Sequence, residues 1–259
     1  MSRPELPAEG FSEAVRGCFS EGARLYPSRA RLQAAVAQRL AGLSARQGVR
    51  FPPGPLADLG AGSGLLSRSL EAALGQGPWL RIDACSALLE QGAGENAALI
   101  RWDLNQGLPG SLQQPAALAS SFALQWLEQP EEQLGTWCDQ LQPGGWLILG
   151  VPTSGSFPLW HQAAARAGVP CTALELPCAQ RLIDCAQQRL QLHRAQVLRF
   201  SRPNRGGLWF LQQIKAIGAQ ASRSPKLNAG QLRRLLRAWP GPDEQAIVWE
   251  VLLLLGQRP

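Results

Sequence analysis

The amino-acid sequence predicts an α/β fold in which a mostly parallel, seven-stranded sheet carries helices on both faces. Two observations predict it. Seven apolar runs with strand character alternate with amphipathic helical segments along the chain. A glycine-rich turn joins the first run to a helix, and acidic residues end the second and third runs. Sheets of this kind bind ligands in the crevice at the carboxyl ends of their strands.

The elements follow one another in a regular order. Strands are predicted, by their bounded apolar runs, at 55–60, 79–84, 97–103, 116–124, 144–152, 194–202 and 244–256. Helices are predicted at 11–45, with a break at Pro27, and at 65–74, 86–92, 130–141, 157–168 and 173–188, with two more inside 203–241. The two late strands flank this last helical segment, so the far edge of the sheet is expected to depart from the regular pattern.

Length and composition indicate one large domain spanning 1–259. The chain is 45% hydrophobic, which is enough for one good core. Within it we expect an N-terminal helical cap at about 10–46 and a helical lid insertion at about 203–241.

The six cysteines and two histidines lack common zinc spacings, so no metal is expected. The chain start has no apolar signal segment, and the late run VLLLLG is too short to span a membrane. We therefore expect a cytoplasmic protein with reduced thiols and no membrane partner.

The first turn, residues 58–64, reads DLGAGSG. Glycine is needed where the backbone takes positive φ or where a ligand approaches the chain closely. The dinucleotide pattern G-x-G-x-x-G fails here, because Leu65 stands where its last glycine belongs. The pattern D-x-G-x-G-x-G resembles motif I of class I S-adenosyl-L-methionine-dependent methyltransferases. The resemblance implies cofactor contacts from Asp58, Gly60, Ala61, Gly62 and Gly64.

Two further acidic residues stand at strand ends. Asp83 ends the second predicted strand, nineteen residues after Gly64, where a carboxylate accepts hydrogen bonds from both ribose hydroxyls. Asp103 ends the third and resembles the acidic residue that meets the adenine amino group; a helix N-cap is its alternative role. The cofactor set implied by the resemblance is completed by Ala84, Leu104 and Ser121.

The segment after the fourth predicted strand, SSFALQW at 120–126, narrows the reaction. It lacks the Asn-Pro-Pro-Phe type of motif used to methylate nucleic-acid bases, and it has no nucleophilic cysteine or nearby histidine. Together with residues 19–33, 211–219 and 231–240, this segment resembles the malonyl-[acyl-carrier protein] O-methyltransferase family of biotin synthesis. That family methylates the free carboxylate of a malonyl thioester, so the resemblance implies this reaction, with malonyl-acyl-carrier protein or malonyl-coenzyme A as the acceptor.

The resemblance also implies the acceptor site. A carboxylate with a pKa near about 4 is already a nucleophile at neutral pH, so no general base and no catalytic residue are expected. Tyr26, the only tyrosine, is expected to cap the site, unless it merely packs between helices. Gln125 and Trp126 are expected to line the transfer pocket, with a core role open for Trp126. Lys215 is expected to reach the malonyl carboxylate or thioester arm, unless it is simply solvated.

A run of positive charge indicates a partner. Residues 185–242 contain no Asp or Glu but eleven Lys and Arg residues. A face of one sign steers an acidic partner, and we expect acyl carrier protein to dock there on a monomer, with Arg202 and Arg205 in contact. A solvated face is the alternative, and nucleic acid fits the same charge although the base-methylation motifs are missing.

Two other functions stay open. One is a methyltransferase for another small molecule or for nucleic acid. The other is a non-catalytic, methyltransferase-like scaffold, against which the intact glycine motif argues.

Overall fold

The computed structural model describes residues 8–92, 98–242 and 244–259. In these ranges the strands are β1 (Leu56–Leu59), β2 (Leu80–Asp83), β3 (Leu99–Arg101), β4 (Ala117–Ser121), β5 (Trp146–Pro152), β6 (Gln191–Arg202) and β7 (Ile247–Gln257). They form one sheet in the order β3-β2-β1-β4-β5-β7-β6. The first five strands are parallel, whereas β7 runs antiparallel to both β5 and β6. The predicted fold class is confirmed.

The helices in the described ranges are α1 (Ala8–Gly22), α2 (Tyr26–Arg29), α3 (Arg31–Arg46), α4 (Leu65–Leu74), α5 (Ser86–Gln91), α6 (Pro130–Gln140), α7 (Pro158–Ala167), α8 (Ala179–Gln187), α9 (Gly207–Ala216) and α10 (Ala229–Ala238). The helix predicted at 173–188 was placed too early, because Pro177 cannot continue a helix begun at 173. The N-terminal helices are interrupted near Pro27, as predicted: α1 ends at Gly22, and Pro27 lies in the first turn of α2, where proline is tolerated.

The sheet is buried on both faces, which is why its central strands read as nearly continuous apolar runs. On one face, Leu118 of β4 belongs to a core with Trp137 of α6 and Leu182 of α8. On the other, Ile148 of β5 packs in a core with Leu40 of α3. The sheet is held between these two cores, and its strand ends place the residues of the site.

An aromatic cluster attaches the segment between β6 and β7 to the rest of the fold. The ring of Phe210 in α9 lies 5.5 Å from that of Trp160 in α7 and 5.6 Å from that of Trp239, measured between centroids. The buried Asn204 accepts a hydrogen bond from Trp239 Nε1 at 3.2 Å. Helices α9 and α10 are thus packed against α7 through a common apolar core.

A close backbone contact attaches α1 to the same segment. A Cβ atom placed on Gly22 would lie 2.6 Å from the backbone nitrogen of Gly218, just after α9. A Cβ on Gly218 would lie 2.6 Å from the carbonyl oxygen of Cys18. Only glycine at both positions allows the end of α1 to pack this closely on the turn after α9.

All six cysteines are free thiols. Over the described ranges, no helix has the length and apolar character needed to cross a membrane.

The glycine contact predicts opposite effects for the same substitution at two positions of α1. Gly22→Ala should loosen α1, because the new methyl group meets the Gly218 backbone, whereas Gly17→Ala meets nothing within 4 Å. Alanine at an open helical position stabilises by about 0.4–1 kcal/mol. Amide hydrogen exchange in α1 should therefore be faster in Gly22→Ala and up to about fivefold slower in Gly17→Ala. Equal exchange rates in the two variants would contradict the packing described.

Candidate active site

A pocket lies at the carboxyl ends of β1 to β4, beneath α1 and α3. Its lining includes these residues predicted from the sequence: Tyr26, Asp58, Gly60, Ala61, Gly62, Asp83, Ala84, Asp103, Leu104, Ser121 and Trp126. The fold thus brings together side chains from four strand ends and from the N-terminal helices.

The glycine turn between β1 and α4 is built entirely on left-handed backbone at its glycines. Gly60, Gly62 and Gly64 have φ values of 65°, 52° and 75°. A Cβ on Gly60 would lie 2.1 Å from the Cβ of Ala123, so no side chain fits there. Gly64 was predicted to contact the cofactor, but it does not line the pocket. Its α-carbon faces the guanidinium of Arg81 instead, and a Cβ on Gly64 would lie 2.8 Å from Nε of Arg81. Its role is to let the turn pack on β2.

Asp83 holds the glycine turn and the start of α5. Its Oδ2 accepts a hydrogen bond from the Gly62 N–H at 2.8 Å, and its Oδ1 accepts one from the Cys85 N–H at 2.8 Å. Burial raises the pKa of this carboxyl, and the backbone donors oppose that rise. Each carboxylate oxygen can accept a further bond, so a pair of adjacent hydroxyl groups in the pocket would find two acceptors here.

Asp58 lies behind the same turn and is 1% exposed. Its Oδ2 accepts a hydrogen bond at 3.0 Å from the N–H of Ser67, the third residue of α4, in the manner of an N-cap. Burial raises the pKa of this carboxyl to about 6, although the bonds from Ser67 lower it. Asp58 therefore fixes the helix start that follows the glycine turn.

Asp103 takes the capping role and also lines the pocket. Its Oδ1 accepts a hydrogen bond from the Asn105 N–H at 3.0 Å and caps the short turn Leu104–Gln106. Its Oδ2 accepts a hydrogen bond from Ser12 Oγ at 2.7 Å, and its side chain also lines the pocket. Through Ser12, α1 is tied across the pocket to the end of β3.

One face of α1, which was not predicted as part of the site, covers the pocket. Ser12, Val15, Arg16 and Phe19 all line it. Their spacing is that of one face of a helix, so the periodicity of residues 11–22 carried a usable signal. Only the tertiary fold, however, shows that this face of α1 lies over the pocket.

An aromatic trio closes the end of the pocket near Asp83. The ring of Phe19 lies 6.5 Å from that of Tyr26 and 5.4 Å from that of Trp126, edge to face in both pairs. Burial raises the pKa of the Tyr26 phenol, and the charges of Asp83 and Asp58 raise it further. Tyr26 therefore stays protonated and offers a hydrogen-bond donor to the pocket.

Beside the trio the chain turns sharply after β4, because Phe122 takes a φ of 56°; the predicted strand 116–124 accordingly ends at Ser121. The hydroxyl of Ser121 is buried and has no hydrogen-bond partner among the described residues. A buried polar group of this kind normally has a partner; this oxygen lies beside β5, 3.3 Å from the position that a Cβ on Gly150 would take.

Four residues that were expected to contact the substrate or its carrier lie outside the pocket. Gln125 is buried behind it, where its Nε2 donates to the Phe122 carbonyl oxygen at 2.8 Å. Arg202 and Arg205 lie instead over the ring of Trp209 in α9, at 5.1 and 5.6 Å from its centroid. Lys215, near the end of α9, lines a different cavity. Within the described ranges, no three His, Cys, Asp or Glu side chains gather as a metal site.

The sheet order, the antiparallel β7 and the glycine turn between β1 and α4 define the class I methyltransferase fold. Solved structures agree with this assignment. A Bacillus halodurans protein described as a methyltransferase has a TM-score of 0.61 at 10% identity, covering 85% of this chain and 98% of that one. Geranyl diphosphate methyltransferase, solved with S-adenosyl-L-methionine, gives 0.53 at 15% identity, covering 92% and 90%.

The [4+2]-cyclase SpnF also shares the fold, with a TM-score of 0.52 at 14% identity, covering 86% of this chain and 80% of that one. At such identities the likeness shows the fold alone.

Relatives by sequence point to a narrower group. The biotin biosynthesis bifunctional protein BioCD of Bordetella avium is 31% identical over 219 residues, which cover 78% of this chain and 43% of that protein. Malonyl-[acyl-carrier protein] O-methyltransferases of Alcanivorax borkumensis and Methylococcus capsulatus are 32% and 27% identical, over 59% and 72% of this chain.

The chain spans about half the length of the first two relatives, 43% and 52%, and 70% of the third. No protein-family model matches it. These relatives confirm the resemblance found in the sequence and the predicted class of S-adenosyl-L-methionine-dependent methyltransferases.

The raised pKa of Asp58 predicts a specific dependence of stability on pH. Between the ordinary value of 3.8 and about 6, the folded chain holds the Asp58 proton more tightly than the unfolded chain does. The free energy of unfolding therefore falls as pH rises through this window, by up to about 1 kcal/mol per pH unit. Asp58→Asn removes this contribution, so the stability of the variant minus that of the natural protein should rise across the window.

Urea unfolding of both proteins at steps between about pH 4 and pH 7 measures that difference. A difference that stays constant with pH would show that Asp58 is not buried as described.

Proposed function

We propose that the chain transfers a methyl group from S-adenosyl-L-methionine to the free carboxylate of a malonyl group on acyl carrier protein. The products are the malonyl methyl ester, for biotin synthesis, and S-adenosyl-L-homocysteine. The observation that carries the proposal is the pocket at the carboxyl ends of β1 to β4, in a chain whose relatives include two malonyl-[acyl-carrier protein] O-methyltransferases.

The residues of the pocket fit the cofactor. Asp83 offers two acceptors for the two ribose hydroxyls, and Asp103 with Leu104 lies where an adenine ring would be met. Gly60, Ala61 and Gly62 of the glycine turn line the pocket, and so does Ser121. When bound, S-adenosyl-L-methionine supplies an electrophilic methyl group on a sulfonium.

The chain's task in the transfer is to position an acceptor and to exclude water. A malonyl carboxylate is ionised at neutral pH, so no residue has to remove a proton. Its oxygen forms a bond to the methyl carbon as the carbon–sulfur bond breaks, and the electron pair of that bond stays on sulfur. Tyr26, protonated, donates a hydrogen bond that holds the acceptor, while Phe19 and Trp126 keep water from the reacting atoms.

The positive run supplies a surface for the carrier protein, but its members differ. Arg189 is paired with Asp139 at 3.0 Å, and Arg199 lies 3.7 Å from Glu250. Arg202 and Arg205 of the run and Arg31 of α3, here termed the arginine cluster, have no carboxylate within 4.0 Å among the described residues.

Burial lowers the pKa of Arg202, and the charges of Arg31 and Arg205 lower it further. An acidic partner would relieve this repulsion, so we place the carrier protein on the arginine cluster of a cytoplasmic monomer.

The test is methyl transfer from labelled S-adenosyl-L-methionine to malonyl-carrier protein, with acetyl-carrier protein, malonyl-coenzyme A and bulk RNA as parallel acceptors. We expect base-labile label on the malonyl acceptors only, because only they have a free carboxylate on the acyl group. Label on RNA would identify a nucleic-acid methyltransferase. Label on none of the four acceptors would favour another small-molecule acceptor or a scaffold without turnover.

The arginine cluster gives this experiment a second arm. Replacing its three members by Gln should raise the KM for malonyl-carrier protein about tenfold at low salt and leave that for malonyl-coenzyme A nearly unchanged. The matched control replaces Arg39, Arg46 and Arg50, three exposed arginines outside the run, and removes the same charge. Equal KM changes in both triple variants would place the carrier elsewhere.

A further inference from the structure

A second cavity, of about 1060 Å³, lies on the other side of α1 from the cofactor pocket. Helix α1 contributes Ala14, Gly17 and Cys18 to it, whereas Val15 and Phe19 of the same helix line the cofactor pocket. An occupant of the second cavity would rest on the back of the helix that covers the first. Nothing in the proposed transfer uses this space.

One wall of the second cavity is apolar. It is formed by Leu211 of α9, Leu227, and Leu232 and Leu235 of α10. None of the described residues lining the cavity is aromatic, so a nucleobase would have no ring to stack on. The wall suits a flexible aliphatic chain, whose transfer from water to such a surface is favourable at about 0.8 kcal/mol per buried CH₂.

The rim of the second cavity is positively charged. Lys215 and Lys226 are both exposed, and neither has a carboxylate within 4.0 Å in the described part of the chain. Arg223 also lines the cavity, but its guanidinium lies 3.9 Å from the centroid of the Phe11 ring. Glu21 is the carboxylate of the lining. Two lysines are thus available to an anion at the edge of an aliphatic surface.

We propose that the second cavity is a binding site for a medium-chain acyl carboxylate. The chain lies against the leucine wall, and the carboxylate is held by Lys215 and Lys226. The site is separate from the methyl-transfer pocket, and its test does not depend on methyl transfer.

Cys18 lines the second cavity and has a free thiol, so its alkylation rate serves as the readout of occupancy. The probe is sodium decanoate below its micellar concentration, and the readout is the rate of Cys18 alkylation by iodoacetamide, followed by mass spectrometry of the peptide. Decanoate should slow this reaction several-fold, acetate should not, and decan-1-ol should be weaker than decanoate. Cys178 is exposed outside the cavity and serves as the reference within each sample.

The paired substitution Lys215→Gln and Lys226→Gln should raise the decanoate concentration for half-protection by roughly fivefold. Each protein is compared with itself, since both lysines also lower the pKa of the Cys18 thiol. The control, Arg233→Gln with Arg234→Gln, removes two exposed charges of α10 that do not line the cavity and should change nothing. The proposal is overturned if decanoate leaves Cys18 unprotected, protects Cys178 equally, acts no better than decan-1-ol, or protects the lysine variant at an unchanged concentration.

Discussion

The hydrogen bond from the Gly62 N–H to the Asp83 carboxylate is the contact on which the pocket depends. It joins the turn after β1 to the end of β2, and the second oxygen of Asp83 fixes the start of α5. The turn can take this path only because Gly60, Gly62 and Gly64 accept left-handed backbone. One carboxylate thus sets the local backbone and offers acceptors to a ligand.

The cover of the pocket depends on contacts that reach far along the chain. Ser12 joins α1 to Asp103, and Gly22 packs on Gly218 at the turn after α9. Helix α1 is therefore held in place both by the end of β3 and by the segment between β6 and β7. This explains how the two faces of one helix come to line two different cavities.

Much of the fold and of the cofactor side of the site could be predicted, because short stretches of sequence determine both. Asp83 and Asp103 each end a strand, and this position alone places them at the crevice. Three glycines so close together indicate a turn with left-handed backbone. On the substrate side, the predicted pocket contacts are not formed where they were inferred from position along the chain. Gln125 follows β4 but turns into the core to support Phe122, and Lys215 faces away from the pocket. Only the packing of the tertiary structure shows that one face of α1 covers the pocket.

The most direct test of the account is calorimetric titration of the chain with S-adenosyl-L-homocysteine, for the natural protein and for Asp83→Asn. An asparagine amide cannot accept from both backbone donors, so one N–H would face an NH₂ group. The account predicts binding by the natural protein and a loss of tenfold or more in the variant, from about 1.5–3 kcal/mol for hydrogen bonds to a charged group. Equal affinity in the two proteins would contradict it.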